Sequence, residues 1–510
     1  MKLLTREQSR ELDRIAIDKM GIPSIELMGK AGSAVAENAL KLIAKVHAPK
    51  IAIICGKGNN AGDGYKAAID LQKIGLNPQV FILYSKSDII GDSLIYYKKC
   101  LSDNISVEHS LEPPERKFDL IIDAIFGTGF VGKVKHPILD YTKWINNQNT
   151  LVLSVDVPSG INANNGNVAE NAIMADATVT MGMTKVGMTL EPGKSHCGDI
   201  IPVDIGFPDI YDELTGVKFR LEDRELAYKY LVAPNINTHK HKKGKLLILA
   251  GSRGMTGAAI LASNSAIRSG AGLVTTFAPS SLNNIYETNI IEGLTISCKD
   301  DEKGYFNKNN YAEIEEYFSW SDSLLIGPGL GRNESTKELV KKIVKNYTKS
   351  LLIDADGLRC FTNNLELFDE IRSDYIITPH YGELACLLNL DTAEISKNII
   401  EFLQTFMDKY KGILVAKNAP TLVAHKNEIV VNSTGNQGLA TGGTGDVLSG
   451  VIASFLAQGV PAPIAAELGV FIHGMAADNV AEQKGFRGLI ASDILDMLPQ
   501  TIMAYEQKII

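Results

Sequence analysis

The sequence predicts two α/β domains in tandem, each a parallel sheet between layers of helices, a three-layer αβα arrangement. A chain of 510 residues is longer than one domain usually grows, and chains of this size split. Short apolar runs recur along its whole length. Each ends in a cluster of Gly, Asp, Asn, Ser or Thr and is followed by helical periodicity, the pattern of parallel strands joined by crossover helices. The hydrophobic share of 45% against 22% charged is that of an ordinary globular protein, so both domains can bury a core. The expected boundaries are 1–210 and 222–505, with residues 211–224 as the connection.

In the first half, Thr5 with Gln8 can form a capping box, and Leu12, Ile15 and Ile17 then give an apolar helical face. A second helix is expected over 24–44. Residues 50–55 read as a buried strand, followed by Gly56, Gly58, Asn59, Asn60, Ala61, Gly62, Asp63 and Gly64 and then a helix over 65–74. Strand, glycine loop, helix is the dinucleotide-binding order, although the third glycine of the usual spacing is displaced by Ala61. Strands are expected over 79–84, 120–125, 151–155, 175–181 and 200–205. The second of these carries Asp123 into a loop of Gly127, Thr128, Gly129, Phe130, Val131, Gly132 and Lys133. The third ends in Asp156, Val157, Pro158 and Ser159. Three strands thus deliver polar groups from their carboxyl ends, where open parallel sheets bind ligands. Any one of these aspartates also suits a turn or a helix cap. Asn60, Asp123 and Ser159 offer oxygen donors, which suit a hard cation.

In the second half, a helix is expected over 223–231, a basic rim over 238–245, and strands over 245–250, 273–277, 323–326, 351–353, 375–377 and 413–416. Each strand leads into chemistry-bearing residues: Gly251 to Gly257 and Ala258; Gly327, Gly329 and Gly331; Asp354 and Asp356; His380 and Glu383; Lys417, Asn418, Ala419, Pro420 and Thr421. The strongest signal is the run Gly435, Asn436, Gln437, Gly438, Leu439, Ala440, Thr441, Gly442, Gly443, Thr444, Gly445, Asp446, which opens an apolar helix. Glycines free the N–H groups to converge, and the helix dipole favours an anion there. A carboxylate in that place is poorly suited to binding the anion and well suited to taking a proton from an attacking hydroxyl. The dipole is expected to lower the Asp446 pKa, making it a weak base that works by position.

Composition excludes several classes. A net charge of −8 argues against a protein held to nucleic acid by phosphate contacts. The amino terminus becomes charged too early for a signal peptide, and no apolar run approaches the roughly 20 residues that span a bilayer. Cys55, Cys100, Cys197, Cys298, Cys360 and Cys386 form no Cys-x-x-Cys pair, which suits buried thiols in a reducing cytoplasm.

These motifs resemble a family. Thr441 to Asp446 resembles the anion hole and base of ribokinase-like enzymes. With Gly327-Pro328-Gly329-Leu330-Gly331, Asp354-Ala355-Asp356-Gly357-Leu358, Thr378-Pro379-His380, Glu383 and the segment Gly488 to Asp493, the second half resembles NAD(P)H-hydrate dehydratases. Residues 56–64 and Val155 to Gly160 resemble the Rossmann-like NAD(P)H-hydrate epimerases. The whole chain is similar to the bifunctional repair enzymes of bacteria and archaea. The resemblance implies a first domain that interconverts the R and S hydrates of NADH and NADPH. It implies a second that dehydrates the S form with ADP as co-substrate, by phosphorylating the hydroxyl and losing phosphate.

Residue by residue, the resemblance implies acid/base work by Asp156 and dinucleotide binding by Asn59 to Asp63 and Gly127 to Lys133. It implies potassium at Asn60, Asp123 and Ser159, and a hydrate pocket at Gly257, Ala258, Gly329, His380 and Asp446. ADP falls to Lys417 to Thr421, Gly438 and Thr441 to Gly445, and magnesium to Glu383 through water. A homo-oligomer, tetramer or larger, is also implied. Ala61, Val131 with Lys133, Arg359 and Tyr381 depart from the family's commoner residues. At the level of residues two rivals stay open: a small-molecule kinase of the ribokinase superfamily, and a non-catalytic nucleotide sensor. Backbone N–H groups read ADP and ATP alike.

Overall fold

In the computed structural model, which describes residues 1–508, the chain forms two compact units: Lys2–Phe219, and Arg220 onward together with Met1. The first unit opens with the helix Arg6–Arg14, capped as its sequence demands. Gln8 N donates to Thr5 Oγ1 at 3.1 Å, and Thr5 N donates to Gln8 Oε1 at 3.0 Å. The helix then widens into a π-helical turn, Ile15–Lys19. Leu12 and Ile15 are buried as expected, but Ile17 is exposed, because the wider turn rotates it out of the apolar face.

The sheet of this unit runs in the order Ser106–His109, Gln79–Ile82, Ile51–Cys55, Leu120–Ala124, Leu151–Val155, Ala177–Met181, Asp199–Val203, all adjacent pairs parallel. Ile51, Ile53 and Cys55 pack toward the core formed with the helices Ser24–Leu42 and Asn59–Lys73. Ala52 and Ile54 pack toward the core of the opposite face. Chain order reverses between Ile51–Cys55 and Leu120–Ala124. The loops leaving these two neighbours part at their carboxyl ends and open a crevice.

The helix expected over 65–74 begins earlier, at Asn59. Its glycines are packing residues, not turn residues. A Cβ on Gly62 would overlap Met28 Sδ, and one on Gly64 would stand 2.8 Å from Ala124 Cβ. Close approach to neighbouring elements offsets the helix cost of roughly 1 kcal/mol per glycine. The strand Ser106–His109 is mostly exposed and polar, so it leaves no apolar run to detect.

The second unit repeats the plan. Its strands lie in the order Glu428–Val431, Leu422–His425, Ile413–Ala416, Tyr375–Ile377, Ser350–Ile353, Ser323–Ile326, Lys245–Leu249, Leu273–Pro279, Leu294–Cys298. They run parallel from Ile413–Ala416 onward and antiparallel in the hairpin before it. The hairpin and Leu294–Cys298 are strands the sequence reading did not contain. Order again reverses, between Lys245–Leu249 and Ser323–Ile326.

The helix Thr444–Ala457 is buried along its whole length from Val447. It packs beside the helix Thr256–Arg268 closely enough that a Cβ on Gly450 would overlap Ser265 Oγ and the Ala262 carbonyl. Gly450→Ala is therefore expected to cost about 1–3 kcal/mol by forcing the two helices apart. The check is the midpoint of chemical denaturation; an unchanged midpoint contradicts this packing. Five of the six cysteines are buried, and Cys386 is exposed, contrary to the expectation that all are internal. Burial pushes the Cys100, Cys197 and Cys360 thiols up to about 12.

Candidate active sites

The crevice of the first unit is a cleft of about 680 Å³. Asn59, Asn60 and Asp63 reach it from the start of their helix, and Gly127 to Val131 and Lys133 reach it from the loop after Leu120–Ala124. Ala61 and Gly62 do not line it. Their N–H groups donate back to Gly58 O, and both residues are buried against neighbouring elements. Gly132 turns the loop with φ 96°, and Phe130 stacks on Phe126 with centroids 5.2 Å apart.

Asp156 stands at the strand end in a left-handed conformation, φ 65°, uncommon for a residue with a Cβ and typical of functional sites. Its Oδ1 accepts from Lys185 Nζ at 2.5 Å and Met181 N at 3.3 Å. Oδ2 accepts no hydrogen bond among the described residues and lies 3.2 Å from where a Gly127 Cβ would be. Lys185 is 1% exposed and also donates to Thr180 Oγ1 at 2.8 Å and Met181 O at 2.9 Å. One carboxylate oxygen is thus fixed and the other is left free in the cleft.

Asp13 and Asp63 join Asp156 there. Burial, then the Asp156 and Asp13 charges, holds the Asp63 carboxyl well above its ordinary range. Neither Asp13 nor Lys185 had a local sequence signal. Lys185 follows Asp156 by 29 positions, and Asp13 reads as one more polar residue on an amphipathic helix.

Asp123 and Ser159 meet below this cleft. Asp123 Oδ1 accepts from Ser159 Oγ at 2.6 Å, and Oδ2 accepts from Ser159 N at 2.8 Å and Ser154 Oγ at 2.9 Å. Asn60 Nδ2 donates to Phe126 O at 2.9 Å, and Phe126 N donates to Ser159 Oγ at 2.9 Å. Asn60, Asp123 and Ser159 therefore surround one backbone segment. Burial raises the Asp123 pKa against these hydrogen bonds, and the donor set beside it is oxygen only.

In the second unit the glycine run enters the helix Thr444–Ala457 at Gly443, φ 90°, which is its N-cap. The N–H groups of Gly443 and Gly445 meet no acceptor among the described residues. Unfilled donors at a helix start are an anion site. Those of Gly438 and Thr441 are used within the loop, by Asn436 Oδ1 and Leu439 O. The loop is tied to the helix Ala462–Lys484 through Asp478, which accepts from Gly435 N at 2.9 Å and Asn436 Nδ2 at 2.8 Å.

Asp446, third in the helix, does not have the lowered pKa expected of it. Burial, then Asp354, Asp356 and Glu383, lift it to about 7, against the opposing pull of Lys417. The dipole argument fails here because desolvation and three nearby carboxylates outweigh a partial charge.

Lys417 is the cation of this cluster. Its Nζ donates to Asp354 Oδ1 at 2.7 Å and stands 3.5 Å from the Cβ position of Gly445. Burial opposes its charge, but Asp354, Glu383 and Asp446 more than offset that and raise its pKa. Asp354 is closed to other ligands, since Thr378 Oγ1 at 2.7 Å and Ser449 Oγ at 2.5 Å also donate to it.

His380 and Glu383 form a reciprocal cap on the helix Tyr381–Leu388. His380 Nδ1 accepts from Gly382 N at 3.0 Å, and Glu383 Oε2 accepts from His380 N at 2.8 Å. His380 therefore has a structural task as well; its Nε2 lies 3.6 Å from Glu383 Oε1, and the residue lines an adjoining cavity of about 440 Å³ together with Glu383, Asp356 and Cys386. Gly329, φ 62°, lies against Ala258, whose Cβ is 2.9 Å from where its own would be. A Cβ on Gly257 would meet nothing within 4 Å. Asn418, Ala419, Pro420 and Thr421 link the strands Ile413–Ala416 and Leu422–His425, directly after Lys417.

A parallel sheet with a crevice at its switch point, and a second, mostly parallel sheet carrying a glycine-opened helix beside a buried carboxylate cluster, make a tandem of a Rossmann-like and a ribokinase-like unit. The family model described as NAD(P)H-hydrate dehydratase matches residues 246–500, and that described as YjeF-related protein N-terminus matches residues 24–187. The chain is 34% identical to the bifunctional NAD(P)H-hydrate repair enzyme Nnr of Moorella thermoacetica, over 100% of this chain and 98% of the relative. It is also 34% identical to that of Coxiella burnetii, over 97% and 98%. The chain belongs to the family of bifunctional NAD(P)H-hydrate repair enzymes.

Among solved structures, the ADP/ATP-dependent NAD(P)H-hydrate dehydratase from Bacillus subtilis, co-crystallised with ATP/Mg2+, is 26% identical. It aligns over 56% of this chain and 98% of its own, with a TM-score of 0.50. A ribokinase-like superfamily protein from Enterococcus faecalis shares the fold at 24% identity and the same TM-score, over 57% and 97%. Among the described residues no helix is long and apolar enough to cross a membrane.

Proposed function

We propose that the chain restores hydrated NADH and NADPH. The unit Lys2–Phe219 interconverts the R and S hydrates, and the unit from Arg220 onward dehydrates the S epimer at the expense of a nucleotide. The observation that carries the second activity is Asp446, a carboxyl lifted to about 7 beside the unfilled N–H groups of Gly443 and Gly445. A hydroxyl is a poor leaving group until it is esterified. Asp446 takes the hydroxyl proton as the oxygen attacks the terminal phosphoryl, and the glycine amides and Lys417 stabilise the charge on the transferring group. With ADP as donor, AMP is released. The phosphate ester then leaves as inorganic phosphate while a ring proton departs, and the reduced nicotinamide is restored.

Lys417 to Thr421 and Thr441 to Gly445 hold the nucleotide, and His380, Gly257, Ala258 and Gly329 border the hydrate. Glu383 would hold a magnesium ion through water, and the surplus of Asp356, Glu383 and Asp446 over Lys417 suits a divalent ion. Such an ion would neutralise phosphate charge. In the first unit, Asn60, Asp123 and Ser159 would hold potassium, which would offset the buried Asp123 charge and fix the loop beneath the substrate.

The test follows reduced-nicotinamide absorbance in a mixed R/S hydrate given ADP, ATP or neither. Both epimers are expected to be recovered with nucleotide and neither without it. With Asp156→Asn, fast recovery is expected to stop at the S share, because the R epimer is no longer fed in. Recovery without nucleotide, or a phosphorylated product that persists, overturns the reading in favour of another chemistry.

A further inference from the structure

We propose that Asp13 is the second proton-transfer group of the N-terminal cleft, acting with Asp156 to invert the hydroxyl-bearing carbon. This rests on the epimerase reading above. The helix Arg6–Arg14 and the turn after it present Arg10, Asp13 and Ile17 to the cleft, while Leu12, Ile15 and Ala16 are buried. Positions 10, 13 and 17 share one helical face. That face lies against the substrate loop, since Arg10 Nη2 is 3.5 Å from the Cβ position of Gly129. Asp13 makes no hydrogen bond or ion pair among the described residues, so no structural task accounts for its carboxylate.

Asp156 enters the same cleft with one oxygen clamped by Lys185 and the other free. The Asp13 side chain is exposed to the cleft. Partial desolvation by the surrounding walls, then the Asp156 charge, raises its pKa to about 6, against the opposing pull of Lys185. A carboxyl of that pKa exchanges its proton near neutrality.

The hydroxyl of the hydrate sits on a carbon bonded to the ring nitrogen, so inversion requires no break of a carbon–hydrogen bond. Asp156 Oδ2 takes the hydroxyl proton, the carbon–oxygen double bond forms, and the carbon–nitrogen bond breaks with its electron pair on nitrogen. Asp13, protonated, gives that nitrogen its proton. Rotation of the freed aldehyde presents its other face. Asp13 takes the nitrogen's proton back as nitrogen attacks, and the oxygen recovers a proton from Asp156. Atoms and charge balance, and no oxidant or reductant enters. One carboxyl alone cannot serve both positions in either direction.

The experiment uses the full-length chain and purified R hydrate with nucleotide, so that epimerisation is read through the chain's own dehydration. S hydrate with nucleotide is the internal control. Asp13→Asn is expected to lower kcat on R hydrate roughly 10²–10⁴-fold. KM, the rate on S hydrate and the melting temperature should stay near the parent's. Asp13→Glu should recover part of the rate. The high-pH limb of the R-hydrate profile, where Asp13 loses the proton it must give, should shift in Asp13→Glu and vanish in Asp13→Asn; Arg10, Asp63 and Asp156 line the same cavity, Lys185 stands behind Asp156, and all four remain in both. An unchanged kcat in Asp13→Asn, or a loss confined to KM, overturns the proposal for Asp13 alone. A parent chain that repairs S but never R hydrate overturns it together with the epimerase reading.

Discussion

Asp446→Asn is expected to lower dehydration of the S hydrate by about 10²–10⁴-fold while nucleotide affinity stays near that of the parent, because the N–H groups of Gly443 and Gly445 are untouched. The parent's dehydration rate should rise with pH through about 7, the range in which Asp446 loses its proton and becomes the base. The same variant should be more stable. A carboxyl whose pKa is raised on folding binds its proton more tightly in the native state. Native stability therefore falls as pH rises from the unfolded value, near 4, to the folded value. Asn removes that penalty. Its advantage should grow over this window, persist above it and disappear in acid. Partial exposure screens the effect, so about 1–2 kcal/mol is the expected gain, a rise of a few degrees in melting temperature. Full turnover in Asp446→Asn removes the base assignment; a variant no more stable at pH 8 removes the account of its pKa.

The second large effect is structural. Lys417→Met strands Asp354, which is 1% exposed, among Glu383, Asp356 and Asp446 with no cation. Breaking a buried pair from one side typically costs about 3–5 kcal/mol. Denaturant unfolding of the C-terminal unit should register a loss of that order, with nucleotide binding abolished. Adding Asp354→Asn should return most of the stability, since the remaining group is then neutral, but not the activity. If the single variant melts like the parent, the pair is not the buried anchor that its distances describe.

Much of this was legible because strand ends in parallel sheets carry their chemistry in short local strings. The run into Asp446 and the loop from Gly127 to Lys133 both announce a crevice before any coordinates. What stayed hidden is nonlocal. Lys185 reaches Asp156 and Lys417 reaches Asp354 across intervals filled by whole strands and helices. No spacing rule pairs them. The Asp446 pKa was misjudged for the same reason: the helix terminus is visible in sequence, whereas the burial and the neighbouring carboxylates arrive only with the fold. Glycines between Asn59 and Gly64 looked like a turn because their packing partners, Met28 and Ala124, lie far away in the chain. His380 was placed in a site on its neighbours, and its capping bonds to Gly382 and Glu383 show that position also owes something to local backbone needs.

The cysteine arrangement bears on the circumstances in which such a protein works. With five sulfurs sealed inside the two cores and three of them held as thiols up to about pH 12, electrophiles and peroxides find almost no nucleophilic sulfur to attack. Neither proposed reaction uses one. A protein that handles redox carriers thereby offers oxidants little sulfur, with Cys386, at the rim of the second cavity, the exposed one of the six.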